Sequence, residues 1–313
     1  MSWALALGSL ALVGFAAPFA NELRKPRITD AVRARAPGQF AQLSQGVTHY
    51  RWHGDRAQGP VAVCVHGLTT PSIAWDGVAE GLVAQGYRVL VYDLFGRGYS
   101  DRPAAPQDAA FFLRQLEELI RHEGLKGDIT LFGYSMGGAI AASYAARTPQ
   151  MVKRLVLVAP AGMGHDLGKV EGVCTRVPVL GDWLFRLVFP ARHRAGAWAL
   201  REGEGGPVAV TDAQAEQPDW RGYVPAVLSS MRGMLAHTLE HEHRTIARQG
   251  VPVLAIWATR DASIPLSSMG VLTAWNRAAE QEQVEGATHW LPLTQPEEVV
   301  AAYRRSVQRQ AGR

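Results

Sequence analysis

Short apolar runs alternate with helical segments along much of this chain, and that rhythm restricts the possible folds more than any other feature. The sequence predicts buried strands at 60–65, 88–93, 128–132 and 154–158, with helices over about 72–85, 108–123 and 136–147 between them. Uninterrupted apolar runs of this length are typical of strands that are covered on both faces. Because right-handed crossovers are the rule for such units, we expect a mostly parallel sheet with helices on both faces, an α/β fold.

The alternation stops between residues 163 and 250 and then resumes. The interrupting segment has no buried apolar run but carries several large aromatic residues, and structureless loops longer than about 15 residues are uncommon in compact domains. We therefore expect a helical cap at 163–250, inserted into a core formed by 45–162 and 251–313. The remaining predicted elements are strands at 48–52, 251–257 and 282–284, helices near 267–278 and 297–310, and a polar connector at 28–45.

The first 27 residues differ in kind from the rest of the chain. Residues 3–20 carry no charged side chain, and Glu22, Arg24, Lys25 and Arg27 follow at once. A bilayer core takes about 20 apolar residues, so this segment is interpreted as a membrane anchor or a signal segment, with a docked helix as the third reading. The basic residues after the run favour an anchor with the remainder on the cytoplasmic side. Small residues at 15–20 leave cleavage, and a secreted or periplasmic protein, as the alternative.

Composition excludes several classes of partner. The 313 residues are 47% hydrophobic and 19% charged, and the formal net charge is +4. The basic residues are not gathered with aromatic ones into a stripe, so no nucleic acid is expected to bind. Cys64 and Cys174 have no metal-ligand spacing, and the pair His237 and His241 lacks an HExxH pattern, so neither a metal nor another cofactor is expected.

One motif carries the strongest chemical signal. Gly133-Tyr134-Ser135-Met136-Gly137 matches G-x-S-x-G, and it stands between a predicted buried strand and a predicted helix. In that context the serine lies on a sharp turn at the carboxyl edge of the sheet, and glycines remove side chains that would collide there. The following helix directs its amide dipoles toward any negative charge that forms at this point. Ser135 is therefore predicted to be a nucleophile.

Three further segments, taken with this motif, make the chain resemble the α/β-hydrolase superfamily over about residues 45–310. His66-Gly67-Leu68-Thr69 is similar to the HG turn of that family, and residues 93–101 resemble its Asp-x-x-Gly-x-Gly-x-Ser loop. Ser135, Asp261 and His289 occur in the family's order of nucleophile, acid and base. The subgroup that the chain resembles most is the capped lipases and esterases similar to monoacylglycerol lipase. The resemblance implies an eight-stranded sheet with the cap between strands 6 and 7.

The three catalytic candidates also follow from chemistry. A serine hydroxyl needs a neighbouring base, and His289 lies in a loop between a short strand and the last helix. The imidazole in turn needs an acceptor that holds its tautomer, and Asp261 comes just after a buried strand. Asp93 is a competitor at another strand end, but the glycine-rich loop after it favours a structural role.

Two backbone amides are expected to stabilise an oxyanion. One is the amide of Met136, which directly follows the nucleophile, and by resemblance the other is the amide of Leu68. His66 is interpreted as a residue that organises this turn rather than as a base. Within the cap, the apolar walls of a substrate pocket are expected from Trp183, Phe185, Phe189 and Trp198.

These residues predict a serine hydrolase that cleaves a carboxylic ester through an acyl-enzyme. A membrane anchor and an apolar cap favour a lipid-derived ester such as a monoacylglycerol. C–C bond hydrolases and thioesterases use the same three residue types and stay open as alternatives. From another class, a catalytically silent ligand-binding homologue also stays open, and the oligomeric state is not predicted.

Overall fold

A sheet of eight strands forms the centre of the computed structural model, which describes residues 2–55, 58–164 and 168–312. Most of these strands coincide with the apolar runs of the sequence to within two or three residues. The strands are β1 (Gln39–Leu43), β2 (Gly46–His53), β3 (Val61–Val65), β4 (Arg88–Tyr92), β5 (Ile129–Tyr134), β6 (Val152–Val158), β7 (Val253–Ala258) and β8 (Glu280–Val284).

The strands lie in the order β1-β2-β4-β3-β5-β6-β7-β8. Strand β2 is antiparallel to both β1 and β4, and all other neighbours are parallel. This mostly parallel eight-stranded sheet confirms the fold class that the sequence predicts. Because β3, β5, β6 and β7 run in one direction, the loops after them meet at the same edge of the sheet.

Helices cover both faces of the sheet and fill the segment between β6 and β7. They are α1 (Ser2–Arg24), α2 (Asp30–Arg33), α3 (Asp76–Val83), α4 (Ala109–His122), α5 (Met136–Arg147), α6 (Lys169–Arg176), α7 (Leu180–Glu204), α8 (Val208–Glu216), α9 (Tyr223–Arg232), α10 (Glu240–Arg248), α11 (Ser268–Trp275), α12 (Leu291–Thr294) and α13 (Pro296–Ala311). Within 163–250 the described residues include α6 to α10 and no strand, and residues 165–167 of that segment lie outside the described part.

The two faces of each central strand bury different side chains. In β3, Val63 and Val65 belong to the larger apolar cluster on one face, and Ala62 and Cys64 belong to the cluster on the other. All five residues of β3 are buried, as are all six of β5. The sheet therefore needs helices on both faces, which explains why the central runs show no polar alternation.

One strand was not expected. Strand β1 lies inside the segment 28–45 that the sequence indicates to be a polar connector, so that interpretation was wrong. Of its five residues only Ala41 and Leu43 are buried. As an edge strand it pairs only with β2, in an antiparallel hairpin, so its half-polar sequence lacks the continuous apolar signal of an inner strand.

The first helix projects its apolar side chains away from the protein. Residues Ala6–Arg24 have a mean hydropathy of 1.3 and are only 6% buried, which by length and composition would allow this helix to cross a membrane. Leu10 and Leu12 are 70% and 68% exposed. The second half of the helix contacts α7, where the indole of Trp183 stacks on Phe15 and donates a hydrogen bond to the Gly14 carbonyl oxygen.

Candidate active site

Ser135 occupies the sharp turn between β5 and α5. Its φ is 54°, in the left-handed region that a side chain with a β-carbon rarely adopts. The amide of Ser135 donates to the carbonyl oxygen of Val158 at 3.0 Å, and its own carbonyl oxygen accepts from the amide of Ala161 at 3.0 Å. Hydrogen bonds to the end of the neighbouring strand β6 and to the loop after it therefore fix the turn, and they keep the serine at the carboxyl edge of the sheet.

The glycines of the motif are required by close backbone packing. A β-carbon on Gly137 would lie 2.1 Å from the carbonyl oxygen of Val65, and one on Gly133 would lie 2.4 Å from that of Gly137. Both contacts are with backbone atoms, which cannot move aside as a flexible side chain would. The motif contains glycines because α5 packs so closely against the ends of β3 and β5 that a β-carbon would not fit.

The three candidate side chains, which come from distant parts of the chain, lie in contact. The Ser135 Oγ and His289 Nε2 atoms are 3.0 Å apart, and His289 Nδ1 is 2.7 Å from Asp261 Oδ2. The carboxylate side chain of Asp261 is almost fully buried, while that of His289 retains a small exposed fraction. The arrangement allows the hydroxyl to donate to Nε2 while Nδ1–H donates to the carboxylate.

The loop after β7 orients Asp261. Its Oδ1 atom accepts from the amides of Ser263 at 2.7 Å and Ile264 at 2.8 Å. With Oδ1 occupied by two backbone donors, Oδ2 is left to accept from the imidazole. When Nδ1–H donates to this carboxylate, the other ring nitrogen, Nε2, faces the Ser135 hydroxyl as an acceptor.

Tyr134 contacts both the main chain and the ring of His289, and sequence reasoning did not identify it. Its hydroxyl donates to the carbonyl oxygen of His289 at 2.8 Å, and the two ring centroids are 5.3 Å apart. Tyr134 is the variable residue that precedes Ser135 in the motif, so the sequence contained no pattern that pointed to it. Burial raises the pKa of this phenol well above its ordinary value, so the hydroxyl stays a donor.

The two expected oxyanion donors flank the serine. The turn that contains Leu68 approaches closely, since a β-carbon on the preceding Gly67 would lie 3.4 Å from that of Ser135. Met136 is buried and is the first residue of α5. The Leu68 amide donates to no protein acceptor among the described residues. Both amides thus lie near Ser135, that of Met136 in the first turn of α5 and that of Leu68 in the HG turn.

A buried arginine in the loop after β4 links the HG turn to the cap, and sequence reasoning did not identify it either. Arg97 is fully buried, and its Nε donates to the Leu68 carbonyl oxygen at 2.8 Å. Its guanidinium also donates to Ser230 of α9 at 2.8 Å. Burial lowers the pKa of Arg97 to about 10, which still leaves it charged at neutral pH. It lies in the Gly96-Arg97-Gly98 turn, where the flanking glycines were the only signal.

Asp93 and His66 have the structural roles that the sequence favoured. Asp93 accepts from the amides of Ser72 and Tyr99 and from His49 Nδ1, and although burial opposes it, this set keeps the pKa of Asp93 below its ordinary value. His66 Nε2 accepts from the amide of Leu94 at 2.9 Å. Burial lowers the pKa of His66 to about 4, so it is neutral and organises the turn.

The four cap aromatics do not form one group. Phe185 and Phe189 stack with centroids 4.5 Å apart, in a cap cluster against which Leu68 also packs. Trp183 instead packs on the N-terminal helix, and Trp198 is 55% exposed. The structure therefore brings only the two phenylalanines near the HG turn. The aromatic content of the cap predicted packing but not which residue packs where.

Comparisons with known proteins agree with this architecture. A family model described as the alpha/beta hydrolase fold matches residues 60–174. An uncharacterized protein of Mycobacterium tuberculosis is 26% identical over 251 residues, which cover 74% of this chain and 70% of the relative.

Two solved structures have similar folds. A thermophilic esterase from Thermogutta terrifontis superposes with a TM-score of 0.71 at 21% identity, covering 87% of this chain and 99% of the esterase. A structure described as a membrane phospholipase A, a bacterial virulence factor, superposes with a TM-score of 0.69 at 23% identity. That match covers 98% of this chain and 96% of the phospholipase.

Proposed function

The chain belongs to the α/β-hydrolase superfamily, and from that membership we propose that it is a serine hydrolase that cleaves carboxylic esters. Ser135 is the nucleophile, His289 the base and acid, and Asp261 the acceptor that holds the imidazole. The observation that carries the proposal is the continuous series of contacts from Ser135 Oγ through both nitrogens of His289 to Asp261 Oδ2.

The proposed reaction has two halves. In the first, Ser135 Oγ bonds to the carbonyl carbon of the ester and passes its proton to His289 Nε2, and the tetrahedral oxyanion accepts hydrogen bonds from the amides of Leu68 and Met136. The C–O bond to the leaving alcohol then breaks, and His289 returns the proton to that oxygen. In the second half, water attacks the acyl-enzyme with His289 again as base, and the carboxylic acid and free Ser135 result.

A lipid-derived ester, such as a monoacylglycerol, is the substrate that we propose. Phe185 and Phe189 form an apolar surface beside Leu68, which suits an acyl chain. The exposed apolar helix α1 would keep the enzyme at the surface where such esters occur. The match to the membrane phospholipase A extends over 98% of this chain, and it supports a lipid ester only as an analogy of overall architecture.

A labelling experiment separates an enzyme from a silent homologue. A fluorophosphonate probe is expected to label the full chain and not the Ser135→Ala variant. Ser143→Ala is the matched control, because Ser143 is a buried serine on α5, the helix that follows Ser135. Absence of labelling in the unmodified protein would favour the binding homologue and contradict the enzyme.

A substrate panel tests the bond that is cleaved. Hydrolysis rates are measured for esters and thioesters of graded chain length and for a C–C substrate of the 1,3-diketone type. We expect long-chain esters to be the best substrates. Faster cleavage of short water-soluble p-nitrophenyl esters would contradict a lipid substrate, and a preference for thioester or diketone would replace the ester assignment.

We further propose that α1 anchors the protein to a membrane with the catalytic part on the cytoplasmic side. The double variant Leu10→Arg and Leu12→Arg is expected to move the protein from the alkali-resistant membrane fraction to the soluble fraction. Val208→Arg is the control, since Val208 is also an exposed apolar residue but lies on α8. A C-terminal fusion to green fluorescent protein should fluoresce, whereas an active alkaline phosphatase fusion would place the domain on the other side.

A further inference from the structure

A cavity lies apart from the candidate active site. It is a groove with a volume of about 1070 Å³, bounded by the end of α1, the loop 101–107, and helices α7 and α9. Ligand pockets in proteins commonly measure about 300–1,000 Å³, so the groove has room for a small molecule and part of a chain. Neither Ser135 nor His289 lines it.

The end of the first helix is tied to the cap at this groove. The carboxylate of Glu22 accepts from the amide of Gly222 at 2.6 Å, and the Pro26 carbonyl oxygen accepts from the amide of Arg221 at 2.8 Å. These bonds hold the end of α1 and the start of α9 together. The relative position of these two walls of the groove is therefore fixed by hydrogen bonds to backbone amides.

The side chains around the groove are predominantly positive. Its five arginines are Arg27, Arg102, Arg186, Arg221 and Arg232, and its three carboxylates are Glu22, Asp101 and Asp182.

Each carboxylate already has a cationic partner. Glu22 pairs with Lys25, Asp101 with Arg33, and Asp182 with both Arg186 and Arg232. Among the described residues, Arg27, Arg102 and Arg221 take part in no ion pair, so the groove carries an uncompensated positive charge.

Buried donors beside the groove also lack acceptors. The Nε atoms of Arg102, Arg186 and Arg232 are shielded from solvent and have no hydrogen-bond partner in the part of the chain that the structure describes. Burial also lowers the pKa of Arg102 to about 10, which records the penalty on its charged form. An anion in the groove would stabilise these guanidinium groups electrostatically.

The remaining lining is apolar and adjoins the exposed helix. Leu23, Ile28, Pro103, Pro106 and Pro225 supply nonpolar surface next to the arginines. Residues 6–17 of α1 are exposed and carry no charge, so a membrane that received this part of α1 would have its polar surface near the groove. A groove that has both positive charge and apolar surface, and that lies at the level of the membrane surface, suits an amphiphile with an anionic head group.

We propose that this groove binds the head group of an anionic phospholipid, as a site separate from catalysis. The phosphate lies among Arg27, Arg102 and Arg221, and the acyl chains extend out of the groove along the exposed apolar residues of α1. The proposal rests on the anchoring role of α1, but it does not require that Ser135 be a nucleophile. The bound lipid would join α1 to the cap and thereby orient the cap on the membrane.

Native mass spectrometry of the full chain in nonionic detergent tests this site. The Ser135→Ala variant is used throughout so that no lipid is hydrolysed, and it is mixed with equimolar phosphatidylglycerol and phosphatidylcholine. We expect retained phosphatidylglycerol to exceed phosphatidylcholine roughly tenfold or more, since three arginines take part. Adding Arg27→Gln and Arg221→Gln should lower phosphatidylglycerol retention roughly tenfold or more and leave phosphatidylcholine unchanged, since each basic residue near a membrane contributes about fivefold.

Controls make each outcome decisive. Arg244→Gln, on the exposed face of α10 and remote from the groove lining, should leave retention unchanged. Equal retention of both lipids, or full retention by the double variant, would overturn the proposal. Displacement of the lipid by millimolar glycerol 3-phosphate would also overturn it, because the site would then be one for a soluble phosphate ester. If the double variant unfolds at a lower temperature, Arg27→Gln alone, at an exposed position, repeats the comparison.

Discussion

The hydroxyl of Tyr134, the residue that precedes Ser135, donates a 2.8 Å hydrogen bond to the main-chain oxygen of His289. The elbow that presents Ser135 therefore also holds the loop that presents the imidazole. These two segments are 155 residues apart in the chain. The contact makes the distance between Ser135 Oγ and His289 Nε2 depend on one buried phenol as well as on the two loops.

We expect Tyr134→Phe to lower kcat about two- to tenfold with little change in KM. The ring and its packing are kept, but the His289 carbonyl oxygen loses its donor, and one hydrogen bond of this kind contributes about 0.5–1.5 kcal/mol. Steady-state kinetics on the best ester of the panel measures the effect. Tyr87→Phe is the control, because it removes a hydroxyl bonded to Tyr303 at 2.5 Å that touches no candidate catalytic residue. Equal kcat values for Tyr134→Phe and Tyr87→Phe would contradict the positioning role.

Asp261→Asn should reduce kcat by about 10⁴ while the protein stays folded. The single amide oxygen would keep the backbone donors of Ser263 and Ile264, so the NH₂ group would face His289 Nδ1. The imidazole would then carry its proton on Nε2 and could not accept from Ser135. Asp212→Asn, at an exposed ion pair with Arg201, is expected to retain full activity. A loss of less than tenfold in Asp261→Asn would argue against the proposed acceptor.

Gly133→Ala should abolish accumulation of folded protein. The new β-carbon would meet two backbone atoms, at 2.4 Å from the Gly137 oxygen and 2.7 Å from the Gly138 Cα, so strands and helix would have to separate. In contrast, Gly196→Ala within α7 meets nothing within 4 Å and should stabilise the protein by about 0.5–1 kcal/mol. Soluble yield and the midpoint of thermal unfolding distinguish the two. A folded, active Gly133→Ala enzyme would show that the turn is looser than its geometry indicates.

His243 should make the protein sensitive to acid. It is buried, both ring nitrogens lack partners among the described residues, and burial lowers its pKa from 6.5 to about 4. Between these two pKa values the unfolded chain takes up a proton that the folded protein does not, so stability falls as the pH drops from about 6.5 to about 4, by about 3 kcal/mol in total.

His243→Phe removes this proton uptake while it keeps a ring against Trp275. At each pH we compare the unfolding free energy of the variant with that of the unmodified protein. The variant's advantage should be about 2 kcal/mol larger at pH 5 than at pH 8. Urea unfolding at both pH values measures the difference. His66 and His193, whose pKa values are also lowered to about 4 by burial, are present in both proteins and cancel in the comparison. The same difference at both pH values would show that His243 does not titrate as its burial implies.

Much of the core could be predicted because strands buried on both faces leave an unmistakable pattern. The run at 60–65 corresponds to β3, and the run at 154–158 lies inside β6. Strand β1 was missed because an edge strand buries only alternate side chains, and Gln39 and Gln42 interrupt any apolar run. The position of Ser135 could be predicted because the glycines that its turn requires stand next to it in the sequence, as a G-x-S-x-G motif between a strand and a helix.

The sequence by itself determined the alternation of core strands and helices from β2 onward, the elbow with its nucleophile candidate, and the apolar character of α1, because each depends on neighbours within a few residues. Only the tertiary structure decided that Tyr134 holds His289, that Arg97 supports Leu68, and that Trp183 packs on α1 rather than beside Phe185. The same is true of the arginine-lined groove, whose walls come from five separate parts of the chain, 22–28, 45, 101–107, 182–186 and 221–233. Such contacts join residues far apart in the chain, and no local pattern encodes which of several polar or aromatic side chains will meet.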